Sequence, residues 1–216
     1  MIKKSAKFTT VTVAMLFLAL ILSIAATASA DTNVALNKPV TLSGEFGVLR
    51  SNSGWETGAI LGSPSTINDG IFFPERTQWN SGSIWWDSTV SGSENNSIVI
   101  DLQGAYHITG IITQADNNDK YYMEYLHPIA NMWIMIGWWP EVDGWGLMTR
   151  PDGDQVTQSL VSFDASKFRL TAYPGDGYYA YSEFQAFGTP IPEPATMLLL
   201  GLGLMGLAGV RKKIKK

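Results

Sequence analysis

Residues 97–126 read SIVIDLQGAYHITGIITQADNNDKYYMEYL, and the period of this stretch decides the fold. In Ser97–Leu102 the residues Ile98, Ile100 and Leu102 fall on one side and Val99 and Asp101 on the other. Alternation of that kind is the mark of a strand with one face in a core. Tyr106–Gln114 reads as a second strand and Tyr121–Leu126 as a third. Between the last two lies Asp116-Asn117-Asn118-Asp119, whose short polar side chains bond their own backbone and favour a turn.

Working outward, the same punctuation continues. Val34–Leu42 is a strand candidate broken by Pro39, which places it at an edge. Trp133–Trp139, Val156–Phe163, Phe168–Tyr173 and Tyr181–Phe187 complete a set of eight. No amphipathic helical period runs through 31–189. Eight short antiparallel strands predict an all-β fold, a two-sheet sandwich or jelly roll, because closure or double layering hides sheet edges that one open sheet would expose. Residues 43–95 read mostly as loop, long enough to expect a functional role or an ion holding it in place.

The ends of the chain read differently. Lys3, Lys4 and Lys7 precede an apolar run over 11–26 and then Ala28-Ser29-Ala30. A basic start, an apolar middle and small residues at Ala28 and Ala30 make an export signal with cleavage after Ala30. At the other end, Pro192-Glu193-Pro194 precedes an apolar run to Val210 and then Arg211-Lys212-Lys213. As a helix that run would span about 24 Å against about 30 Å of hydrocarbon, enough for a transient membrane anchor. Its basic end would stay cytoplasmic, with the preceding domain on the far side. The chain therefore divides into a signal (1–30), one domain (31–189) and a tail (190–216).

Formal charge is −4 overall, but the basic residues crowd the ends. Residues 31–189 hold seven Lys/Arg against eighteen Asp/Glu, a net charge near −11. Such a surface repels phosphate backbones, which argues against nucleic acid and anionic lipid as partners of the domain and suits cations or neutral sugars. There is no cysteine, so disulfides, thiolate metal sites and a cysteine nucleophile are excluded.

Pro192-Glu193-Pro194, a Leu/Gly-rich helix and a basic stop at the chain end resemble the PEP-CTERM sorting signal. That resemblance implies an exosortase-type membrane protease as partner, cleavage near Pro192–Pro194, and delivery to the cell surface or an exopolysaccharide matrix. Within the domain, Asn33-Val-Ala-Leu-Asn-Lys-Pro-Val-Thr41, Ile67-Asn-Asp-Gly-Ile71, Thr77-Gln-Trp79, Ser97–Leu102, Phe168-Arg-Leu-Thr171 and Ser182-Glu-Phe-Gln-Ala-Phe-Gly188 occur in this order. Together they resemble the discoidin, or coagulation-factor type C, family of galactose-binding-like domains. This implies an eight-stranded jelly roll whose loops bind glycans, lipid head groups or proteins, often with one structural calcium. Carried over residue by residue, the calcium ligands would be Asp69, Glu183 and Thr77. Phe72 and Phe73 stand where a polar ligand is often found, and Glu75 is a substitute.

Eight tryptophans all fall in the domain. Trp79, Trp133 and part of the Trp138–Trp139 pair read as core. Trp55, Trp85, Trp86 and Trp145 lie in Gly/Ser-rich segments and are candidates for stacking on a sugar, with Arg50, Asp87 and Asn117 as polar partners. Nothing points to catalysis. His107 and His127 lack metal-ligand spacing, and within 31–189 no nucleophile elbow, phosphate loop or dinucleotide motif occurs. The expected function is non-catalytic glycan binding at the cell surface; the alternative is a structural matrix or adhesion protein that recognises protein or itself.

Overall fold

The computed structural model describes residues 31–93, 95–150, 162–172, 175–191 and 202. They hold nine strands: β1 (Thr32–Asn33), β2 (Val40–Ser43), β3 (Ile84–Asp87), β4 (Ser97–Asp116), β5 (Tyr121–Leu126), β6 (Trp133–Trp139), β7 (Leu147–Arg150), β8 (Phe163–Ala172) and β9 (Tyr178–Pro190). A 3-10 turn covers Pro64–Ile67, with Ser63 Oγ accepting from the N–H of Ser65 at its start.

β4 organises the molecule. Its first half pairs with β2 on one side and β8 on the other, while its second half pairs with β9 and then β7, all antiparallel. The pairing slips between Asp101 and Tyr106, where Gln103 adopts a φ of 59°. A bulge adds twist and re-aims a strand, and here it carries one strand from the first layer into the second. The layers are β2-β4-β8-β5-β6 and β9-β4-β7, with β3 and β1 on the far side of β9. Their inner faces meet where the Phe168 and Phe184 rings lie 4.9 Å apart and Tyr121 and Tyr181 lie 4.6 Å apart. The all-β sandwich expected from the alternation is the fold observed.

Two further slips keep apolar residues inward. β4 changes parity between Ile108 and Gly110, so Ile98, Ile100, Leu102 and Ile108 are followed in the core by Ile111 and Ala115. β9 gains a residue at Ser182, so Tyr181 and Phe184 both face in.

Several expectations need correction. Ser97–Leu102 and Tyr106–Gln114 are one strand, not two. Val34–Leu42 is split: Asn33 Oδ1 accepts the N–H of Ala35, and a turn through Asn37, with φ 54°, separates β1 from β2. Of the expected strand Val156–Phe163 only Phe163, the first residue of β8, is in a strand; Ser162 precedes it outside any strand, and 156–161 lie outside the described residues. So do the export signal and nearly all of the sorting tail. Among the described residues no helix is long and apolar enough to cross a membrane.

The segment 43–95 is more ordered than its composition suggests. It contains β3 and packs on the outer face of the second layer, where Trp79, Trp85, Leu147 and Ala180 form a second cluster with Leu49, Ala59, Phe73 and Tyr178. A buried glutamine fastens it: Gln114 Oε1 accepts the N–H of Phe73 at 2.9 Å and Gln114 Nε2 donates to its carbonyl, also at 2.9 Å. Because this covering buries both faces of β3, its sequence Ile-Trp-Trp-Asp carries no polar alternation.

Candidate ligand-binding site

The best-built constellation lies where the end of β3, the start of β9 and the loop after β2 converge. Asp87, buried at the end of β3, has every lone pair engaged. Its Oδ2 accepts the backbone N–H of Arg50 at 2.9 Å and Arg50 Nε–H at 2.7 Å; its Oδ1 accepts the N–H and hydroxyl of Thr89. Burial alone would raise the Asp87 carboxyl, but the bonds from Arg50 and Thr89 outweigh it and hold it below the usual carboxylate range. Bonding to Asp87 in turn raises Arg50.

The Arg50 guanidinium lies over the Tyr178 ring at 4.2 Å, and its Nη2 is buried without a hydrogen-bond partner. Gly177 makes room for it. A side chain there would press on Arg50 Nη2 at 2.9 Å, and the φ of +96° favours glycine in any case. Trp55 stands beside this pair, edge-on to Trp79 at 6.0 Å and to Tyr178 at 6.5 Å, with 41% of its surface open. On the other side of Gly177 opens a cleft of about 460 Å³ lined by Ser88, Thr89, Asn96, Asp176 and Tyr179, with Trp86 also on its wall.

The arrangement joins an exposed ring, a fixed and partly exposed cation and a nearby cleft of mixed polar and apolar lining, which is equipment for holding a polyhydroxylated ligand. It offers no nucleophile or paired acid and base. His107 Nδ1 pairs with Asp164 at an exposed site, and His127 Nδ1 accepts the N–H groups of Ile129 and Ala130 in a turn.

Arg50 and Trp55 thus come together, and Asp87 joins them as the group that positions Arg50. Trp85 and Trp86, expected to stack on ligand, are 2% and 3% exposed. They sit on opposite faces of β3, one in each apolar cluster, so they build the wall and present no free face. Asn117 donates its Nδ2 to the carbonyls of Val142 and Gly144, fixing the loop that carries Trp145, whose ring is 54% exposed. No contact joins Trp145 to Arg50 or Trp55 among the described residues. Trp79 and Trp139 are core as expected, Trp133 is half-buried, and Trp138 is exposed. Sequence reasoning missed Tyr178, Gly177 and the cleft residues; the signal was Gly175-Asp176-Gly177 lying between aromatic residues.

The expected metal ligands are partly assembled. Gly70 N–H donates to Glu183 Oε1 at 3.2 Å, and Glu183 Oε2 is buried without a partner. Burial pushes the Glu183 carboxyl up to about 8; the Gln185 side chain opposes this and the neighbouring Asp69 charge adds to it. Asp69 Oδ1 also accepts the N–H of Ile71. Thr77 gives its hydroxyl to the carbonyl of Pro74, and its own carbonyl accepts the N–H of Leu147. Glu75 is taken up by the N–H and hydroxyl of Thr149, which removes it as a substitute ligand. Among the described residues no group of three or more His, Cys, Asp or Glu could hold a metal ion.

Comparison with known proteins bears first on the tail, where the model of the PEP-CTERM protein-sorting motif matches residues 190–213. The chain carries a PEP-CTERM sorting tail. That marks it as an exported protein sorted through the cell envelope. No curated protein matches the sequence. Among solved structures, similar folds include the family 32 carbohydrate-binding module of C. perfringens NanJ in complex with galactose, at 14% identity and TM-score 0.47, covering 73% of this chain and 98% of that one. Another is chitosan-binding module 1 of a chitosanase/glucanase from Paenibacillus sp. IK-5, at 18% identity and TM-score 0.46, covering 73% and 99%. A third is a family 32 module from Clostridium perfringens in complex with GalNAc-beta-1,3-galactose, at 19% and 0.42, covering 73% and 99%.

Proposed function

We propose that this PEP-CTERM protein is a non-catalytic glycan-binding module of the cell surface or extracellular matrix. The observation that carries the reading is that the exposed Trp55 ring and the Arg50 guanidinium both pack on Tyr178, with Asp87 fixing Arg50, while a cleft opens beyond Gly177. The ring stacks on the apolar face of a sugar, Arg50 donates to its hydroxyls, and the cleft takes a branch or neighbouring unit. Holding these groups in place before the ligand arrives lowers the entropy lost on binding. The test is affinity electrophoresis against a panel of polysaccharides, including the producer's own, with the unaltered chain and Trp55→Ala. Retardation that Trp55→Ala abolishes supports the reading; no retardation by any polysaccharide sinks it.

Calcium belongs to the same proposal. The donor set is all oxygen, as calcium requires, and the unpartnered Glu183 Oε2 beside Asp69 is the feature that fits. Asp69 and Glu183 would hold the ion and backbone carbonyls would complete its shell. The charge supplied there would hold the 68–71 turn against β9.

The tail completes the proposal. An exosortase-type protease cuts near Pro192–Pro194 while the apolar segment anchors the chain transiently in the inner membrane, and the domain passes to the surface or matrix. Replacing Pro192, Glu193 and Pro194 by alanine should leave an unshortened, membrane-bound chain in producing cells; shortening at the same site in that variant would refute the processing step.

A further inference from the structure

The first layer ends on β6, and no other described strand pairs with its outer side. An open strand edge presents unpaired N–H and C=O groups, which proteins usually guard with Lys, Pro or inward charge. Among the described residues this edge has no charged guard on its own strand. From Pro128 to Pro140 the sequence is PIANMWIMIGWWP, thirteen residues without a single charge, in a domain of net charge near −11. The side chains agree with the composition: Ile129, Met132, Met135 and Trp138 are all exposed, Met135 by 60%.

The strand pairing places these groups on one surface. Met135 lies opposite Glu124, Trp138 opposite Tyr122 and Trp133 opposite Leu126, the face of β5 turned away from the core. Charges bordering the strip are already neutralised within the chain. Arg169 Nε bonds Glu124 at 2.6 Å while its guanidinium lies over the Trp133 ring at 4.5 Å, and Lys120 lies 3.9 Å from Glu141 and over the Trp138 ring at 5.5 Å.

We infer that the β6 edge is a self-association surface, on which a second copy of this chain docks through β6 itself. Three observations select that occupant. Two strongly acidic domains repel over most of their surfaces, and the uncharged strip is where like can approach like. A strand edge is self-complementary under a two-fold axis, because antiparallel pairing exchanges the same bonds in both directions. The exposed apolar side chains lie on and beside that edge, so pairing and side-chain burial occur together. The register slip at Ile136 limits backbone pairing to short runs, so Met132, Met135 and Trp138 carry much of the contact. This surface is separate from the Arg50–Trp55 site and does not depend on it.

The test is sedimentation velocity of the full chain in mild detergent over a concentration series, beside Met135→Lys and Met132→Lys. Association through the apolar ends is common to all three proteins, so differences report on β6. The unaltered chain should self-associate and should do so more tightly at high salt, where acidic repulsion is screened. Each variant should raise the dissociation constant at least tenfold while keeping its thermal transition. Amide exchange over 133–139 should slow as concentration rises in the unaltered chain only. A monomer at every concentration and salt, or variants that associate as the unaltered chain does, would overturn the inference. Met132 precedes β6, so Met132→Lys keeps the test open if the strand variant fails to fold. Glycan retardation should be the same in all three proteins at low protein concentration, which separates this outcome from that of the proposed function.

Discussion

Asp87 Oδ2 receives two hydrogen bonds from one residue, the backbone N–H and the Nε–H of Arg50. Charge-assisted bonds of this kind to a buried carboxylate are the strong ones. They fix both the loop and the direction of the guanidinium, which then rests on Tyr178. Asp87→Ala should therefore destabilise the domain by about 2–4 kcal/mol, because it strands the Arg50 and Thr89 donors. It should also weaken glycan retention, since Arg50 loses its fixed aim. Urea denaturation checks the first effect and affinity electrophoresis the second. A variant as stable as the parent would show that these bonds do not hold the loop.

Trp55 and Trp86 should part company on mutation. Trp55→Ala removes a ring already 41% open, so stability should change by less than about 1 kcal/mol while affinity falls tenfold or more. Trp86 packs against Phe46 at 5.4 Å and Tyr179 at 5.3 Å inside the core. Trp86→Ala should cost about 3–5 kcal/mol. Thermal melts and binding assays on the same two samples would separate the roles, and equal loss of stability in both would contradict them.

The sandwich was legible because its faces alternate. Ile98, Ile100 and Leu102 announce β4, and the Asp116–Asp119 run announces the turn after it. β3 escaped because both of its faces are covered, so Trp85 and Trp86 look like two exposed rings in a loop when each belongs to a different core. β7 escaped for another reason: its four residues are held on β4 by pairing and by Arg150, which donates to the carbonyls of Ala115, Asp116 and Asn117. Contacts at that sequence distance leave no local pattern. Of the candidate site, single residues were legible but their grouping was not. The link between Arg50 and Tyr178 spans most of the domain and depends on the absence of a side chain at Gly177.

Calcium should stabilise the domain through Asp69 and Glu183. A ligand bound only by the folded state adds about 2.7 kcal/mol at a hundred times its dissociation constant. The melting temperature should rise when calcium replaces chelator, and the rise should vanish in Asp69→Asn and in Glu183→Gln. Differential scanning fluorimetry over a calcium series measures it. An equal rise in both variants would place any ion elsewhere.

Stability should depend on pH through an acidic pair, Asp116 and Asp119. Burial pushes the Asp116 carboxyl up to about 7, and burial together with the Asp116 charge pushes Asp119 up to about 8. The buried Arg150 nearby does not pair with either carboxylate. Its bonds go to backbone carbonyls while its guanidinium sits 5.3 Å from the Tyr121 ring. Asp176 adds a further negative charge from the β8–β9 turn. In the unfolded chain both carboxyls would lose their protons near pH 4, as ordinary carboxylates do, at about 3.9. Between about pH 4 and 8 the folded state therefore holds more protons than the unfolded state, and its stability falls as pH rises through that window. Asp87 and Asp101, whose carboxyls are held low, act in the opposite sense and only in acid, as pH falls below about 4. With chelator present, the melting temperature should decline from about pH 5 to about pH 8. Asp119→Asn should flatten that decline and raise stability at pH 8, since the amide is neutral throughout. The turn tied to Asp119, whose Oδ1 accepts the N–H of Asp176, also lines the cleft, so glycan affinity should weaken over the same window in the unaltered chain. A melting temperature that rises from pH 5 to pH 8, or a profile unchanged by Asp119→Asn, would show that the folded carboxyls are ionised after all.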